Sequence, residues 1–184
     1  MSDTTPPRIP PVDRATADER QAELLDGLGP AGDLNIFRTL ANHPKLMRSW
    51  LPFGGRLLQG STLPERDREL VILRAAARCG SDYEWGQHVA IGRDAGLADE
   101  EIVAVGRSGT DGWPDWAATL LAAVDELLDD HRIADATWDA LSVRYGPPQL
   151  IELAMLAGHY AMLAGVLRSA GVRTEGPLPT VGEV

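Results

Sequence analysis

Residues 148–170, "PQLIELAMLAGHYAMLAGVLRSA", constrain the fold more than any other stretch. They contain one acid and one arginine, with Gln149, His159, Tyr160 and Ser169 as the other polar side chains of a largely apolar run. The spacing is helical, with apolar side chains around most of the circumference. A helix of that kind is buried, either in the core of its own domain or against a partner subunit. The rest of the chain must therefore supply amphipathic elements to cover it.

Those elements read as helices. "TADERQAELLDGLG" sets Leu24, Leu25 and Leu28 at helical spacing and stops at Gly29-Pro30. A short helix in "NIFRTLANHP" ends before Pro44, which opens the next one at a favoured first-turn position. Pro52 and Gly54-Gly55 predict a kink or break inside that segment. "LPERDRELVILRAAARCG" ends at Gly80, and "SDYEWGQHVAIGRDAG" begins with Ser81 as N-cap. Further helices follow in "DEEIVAVGR", "WPDWAATLLAAVDELLDDH" and "ADATWDALSVRYG". Nothing alternates like a strand. The expected class is all-α, a helical bundle of roughly eight or nine helices. Residues 1–14 read as an extended, proline-rich arm, 15–175 as one domain and 176–184 as a tail.

Composition excludes several function classes. The formal net charge is −10, which argues against nucleic acid or an anionic membrane surface as partner. Lys45 is the only lysine, so nearly all positive charge is arginine, a compositional bias more than a sign of an arginine site. One cysteine, Cys79, supports neither an intrachain disulfide nor a zinc cluster. The opening residues lack a secretory h-region and no apolar run reads as a bilayer span, so a cytoplasmic location is the default expectation. The two glycines in "GRDAGLADEEI" do not have phosphate-loop spacing.

Two positions carry candidate chemistry. Glu69 shares a helix face with Ile72, Leu73 and Ala76. A carboxylate in such a stripe costs free energy unless it is paired or protonated. It is either a core-edge acid paired with an arginine such as Arg66 or Arg93, or a proton donor and acceptor. Ser81, Glu84 and His88 share one face of the following helix. Glu84 is placed to fix the His88 tautomer, although an exposed ion pair fits the same spacing. A metal site would need further ligands, and none lies nearby in sequence. Trp85 and Tyr83 flank the pair and read first as packing residues. His159 reads as a satisfied core or interface histidine, and Cys79 as a small hydrophobe.

In their order and spacing, "RELVILRAAARCG", "YEWGQHVAIGRDAGLADEEI" and "LIELAMLAGHYAMLAGVLRSAGV" resemble the carboxymuconolactone decarboxylase family, which includes the alkyl hydroperoxidase D proteins. The segments "PRIPPVD" and "LNIFRTLANHPKLMRSWLPFGGRLL" resemble a subgroup with a helical N-terminal extension. The peroxidase branch has a glutamate, then Cys-x-x-Cys, then a histidine. Glu69 and His88 match the glutamate and histidine, while Ser81 and Glu84 stand at the cysteine positions. Thiol peroxidase chemistry needs both thiols, so the resemblance implies its absence here. It implies instead a cofactor-free acid–base lyase or isomerase acting on a small carboxylated lactone or related organic acid. The catalytic set would be Glu69, Glu84 and His88. Substrate oxygens would be held by Ser81 and Tyr83, and a substrate carboxylate by Arg74 or Arg93, with neither cofactor nor metal. It also implies a homo-oligomer, as a trimer, hexamer or dimer. The alternative is a non-catalytic or redox-accessory oligomer of the same fold.

Overall fold

The computed structural model describes residues 6–184. Among them there are nine α-helices, one short 3-10 helix and no strand. The helices are α1 Glu19–Gly27, α2 Asn35–Leu40, α3 Pro44–Leu58, α4 Glu65–Cys79 and α5 Asp82–Asp94. They continue as α6 Asp99–Val105, α7 Asp115–Asp130, α8 Asp135–Ser142 and α9 Pro147–Ala170. The all-α expectation is met.

Helix α4 is the centre of the bundle. Its ten residues from Asp67 to Ala76 are all buried, because α5, α7 and α9 pack around it. The principal core joins Leu70, Ile72 and Leu73 of α4 to Trp85 of α5, Leu120 and Leu121 of α7, and Leu153 and Leu156 of α9. Gly80 closes α4 in the left-handed region, at φ 62°, where a residue without Cβ avoids strain. That tight reversal brings α5 back against α4 and sets the two candidate helices side by side.

Several details depart from the sequence reading. Helix α3 runs unbroken through Pro52. Ser81 stands at the N-cap of α5, but its side chain does not cap the helix. Helix α9 has the length and hydropathy of a bilayer span, which the sequence reading did not give it. Half of its apolar window is buried inside the fold, against α4 and α7.

The arm and tail are strapped down. Residues 1–5 of the expected arm lie outside the described residues. Beyond them, Ile9 N donates to the Ala170 carbonyl at 3.1 Å and Val12 N to that of Arg38 at 2.9 Å. At the other end, Trp85 Nε1 donates to the Glu183 carbonyl at 3.0 Å, and Val181 N to Asp82 Oδ1 at 3.0 Å. Gly86 permits this approach, since a Cβ there would come within 2.7 Å of Leu178 Cβ.

Candidate active site

The side chain of Glu69 is fully buried, at 0% exposure. Its Oε1 accepts from Arg68 Nε at 2.9 Å, and its Oε2 lies 2.7 Å from His88 Nδ1. Neither Arg66 nor Arg93 is its partner. Arg66 pairs with Glu101, and Arg93 with Asp99 at 2.7 Å on the surface. On the far side of the imidazole, His88 Nε2 lies 3.2 Å from the Tyr160 hydroxyl, and the two rings meet edge to face. A chain of contacts therefore runs Arg68–Glu69–His88–Tyr160 across α4, α5 and α9. With Glu69 ionised, Nδ1 carries the proton and Nε2 accepts from Tyr160. Burial pushes the Tyr160 phenol up, with the charges of Glu69 and Glu84 adding to it, so the hydroxyl remains a donor.

Glu84 does not pair with His88; the expectation that it sets the His88 tautomer is corrected, because Glu69 reaches in from α4 and takes that place. Glu84 is only 3% exposed, and neither carboxylate oxygen has a hydrogen-bond partner. Burial raises its pKa to about 8, against a smaller lowering by the Ser81 hydroxyl. The Ser81 hydroxyl is itself buried and makes no aligned hydrogen bond, so it acts on Glu84 as a neighbouring dipole. Glu84 is then largely a neutral acid at neutral pH.

This carries a pH consequence with a definite sign. The folded state holds the Glu84 proton more tightly than the unfolded state does. Its contribution to stability is complete below the ordinary value of 4.5 and is lost as pH rises toward about 8. Glu84→Gln is expected to flatten that part of the stability profile. Urea unfolding across the window should show the variant gaining on the wild type toward the alkaline end. Parallel profiles would contradict the raised value.

Three further expected site residues are placed elsewhere. Arg74 donates to Asp125 through Nε at 2.8 Å and Nη2 at 2.5 Å. It also donates to the carbonyls of Val105, Arg107 and Gly109. Those five acceptors match the five N–H bonds of a guanidinium, so none remains for substrate. Its expected role as a carboxylate holder is corrected to a structural one. Arg93, in its surface pair, is likewise no part of this cluster. Tyr83 donates to Glu175 Oε1 at 2.7 Å and accepts from Ile36 N at 3.1 Å. It bolts α5 to α2 and the C-terminal segment. Ser81 and Tyr83 do line an open cleft of about 720 Å³.

Sequence reasoning missed Arg68 and Tyr160. The signal for Tyr160 was its place three residues after Ala157 and four before Ala164, both fully buried, where a hydroxyl must find a partner. His159 is buried between Trp50 and Phe53, with Nδ1 unpartnered and its pKa lowered by burial. Cys79 is half-buried. Burial raises its thiol first and the Glu84 charge second, which opposes thiolate reactivity. Among the described residues, no three His, Cys, Asp or Glu side chains group as a metal-ligand set.

The architecture is an alkyl hydroperoxidase D-like helical fold. A protein from Ralstonia eutropha JMP134, described as peroxidase-related with an alkylhydroperoxidase AhpD core, is similar over 94% of both chains, with TM-score 0.78 and 18% identity. A peroxidase-related protein from Silicibacter sp. TM1040 gives TM-score 0.78 at 15% identity, over 94% of this chain and 95% of the other. The debrominase Bmp8, solved as a cysteine-to-alanine variant with 2,3,4-tribromopyrrole, gives 0.75 at 14% identity over 95% of each. No relative among curated proteins matches. Residues 44–126, which hold Glu69, Ser81, Glu84 and His88, match the model of the carboxymuconolactone decarboxylase family.

Proposed function

We propose that this chain is a cofactor-free acid–base catalyst of the lyase or isomerase type, acting on a small carboxylated lactone or a related enolisable organic acid. The observation that carries this reading is the buried Glu69–His88–Tyr160 series, at 2.7 and 3.2 Å. A carboxylate orients the imidazole and stabilises its cation, while the distal nitrogen meets a hydroxyl that shuttles the proton. In a decarboxylation, the substrate carboxyl leaves as carbon dioxide and its electron pair passes into the adjacent carbonyl as an enolate. A proton then returns to carbon from the His88–Tyr160 pair. In an isomerisation the same pair removes a proton and delivers it to another carbon. Glu84, neutral at neutral pH, is a second proton donor beside them.

The absence of the cysteine pair, with Ser81 and Glu84 in its place, weighs against disulfide-linked peroxidase chemistry. A homo-oligomer belongs to the same proposal. Ile151, Met155, Met162 and Val166 leave an exposed apolar stripe along α9, suited to a second copy of the chain.

Solvent proton exchange tests the chemistry. In deuterium oxide, the wild type is expected to label the acidic carbon of a panel of carboxylated lactones, followed by NMR. His88→Gln is expected to lower that rate by about 10²-fold or more. Equal rates for variant and wild type would remove His88 from the chemistry.

A further inference from the structure

The cleft that contains Ser81 and Tyr83 has a lining at odds with the charge of the chain. Three arginines, Arg8, Arg168 and Arg173, stand around it, on a protein whose formal net charge is −10. Among the described residues none of the three pairs with a carboxylate. Arg168 spends one N–H on the Cys79 carbonyl at 2.8 Å. Arg8 makes a long contact of 3.5 Å to the Ser169 carbonyl. The Arg173 side chain makes no hydrogen bond among the described residues. Asp82 is the single acid in the lining, and its Oδ1 already accepts from Val181 N.

The floor adds to this. Helix α5 begins here, thirteen residues long, and its Ser81 does not cap it. The first turn of α5 has no side-chain cap from Ser81, so the positive end of the helix faces the cleft without that partner. Ser81 is 1% exposed, and its hydroxyl has no partner. Unused donors and positive charge thus converge on one cleft of a size that suits a small molecule.

We propose that this cleft is a binding site for a small-molecule oxyanion, a carboxylate or a phosphate, held by Arg168 and Arg173 with Arg8 at the rim. Exposed arginines supply forked donors suited to either group. Its use as an anchor for a substrate carboxylate, in the place expected of Arg74 and Arg93, rests on the acid–base reading. The binding itself does not, because it is measured without turnover.

Calorimetric titration of the full chain with inorganic phosphate and, separately, with succinate at low ionic strength decides the matter. Saturable binding of either ion is expected, and R168Q and R173Q should each weaken it about tenfold. R132Q, whose arginine pairs with Asp135 on the exposed surface, should bind as the wild type does. Succinate binding alone identifies a carboxylate site, phosphate binding alone a phosphate site, and both a general oxyanion site. If R168Q misfolds through loss of its Cys79 contact, R173Q still decides. Absence of saturable binding to both ions, or equal affinity in R173Q and wild type, overturns the proposal. Anion binding lost while proton exchange persists would sink this site and leave the acid–base reading standing. The reverse result would do the opposite.

Discussion

A Glu69→Ala variant is expected to lose about 3–5 kcal/mol of folding stability, the usual cost of breaking a buried ion pair from one side. The reason is local. Arg68 is only 9% exposed and His88 only 6%, and both direct their donors at the Glu69 carboxylate. Removing it leaves a guanidinium and an imidazole N–H facing a dry gap. For a chain of this length each kcal/mol moves the melting temperature by about 2–4 °C, so a drop of roughly 10 °C should appear in calorimetry. Glu69→Gln keeps the shape and one acceptor, and should lose less. A Glu69→Ala protein as stable as the wild type would mean that the carboxylate is not buried as described.

Arg74→Met is expected to be comparably damaging, about 3–5 kcal/mol, without touching the chemistry. Arg74 is 1% exposed and ties α4 to Asp125 of α7, to the carbonyl of Val105 at the end of α6 and to those of Arg107 and Gly109 just after it. Methionine fills the volume but leaves those three carbonyls short of a donor. Asp125 retains Arg78 at 3.1 Å, so the charge is not stranded and the loop should loosen first. Hydrogen exchange in residues 106–112 is the measurement. Protection there equal to the wild type would show that the loop is held by something else. Reduced solvent proton exchange in a folded Arg74→Met sample would return Arg74 to the site.

The two variants separate what the residue pattern carried from what it did not. The acid at Glu69 was legible because an ionisable group in an apolar helical stripe is anomalous by itself. Its partner was not, because periodicity compares residues along one helix while His88 arrives from another. That is why Glu84, one turn from His88, looked like the natural partner. The helical spacing put both on one face without showing that the face is buried, and only the packing of α5 on α4 decides which carboxylate meets the ring. Arg74 was misread for a similar reason. An arginine looks available until its acceptors are counted, and all five of them are distant in sequence, on Asp125 and on the stretch from Val105 to Gly109. Tyr160 was hidden among the leucines and alanines of α9, where a hydroxyl gives no periodic signal. The helices themselves were legible from proline and glycine punctuation, except in α3, which runs through Pro52. The docking of arm and tail was not, since it depends on single hydrogen bonds to α9, α2 and α5.

On the proposed reading, Glu69 and Tyr160 hold His88 poised for proton transfer between them. Long-range ¹⁵N–¹H correlation NMR of histidine-labelled protein tests it most directly. In the wild type His88 is expected to be protonated at Nδ1 and unprotonated at Nε2, and Glu69→Gln is expected to disturb this state. A His88 protonated at Nε2 and bare at Nδ1, unchanged in Glu69→Gln, would contradict it.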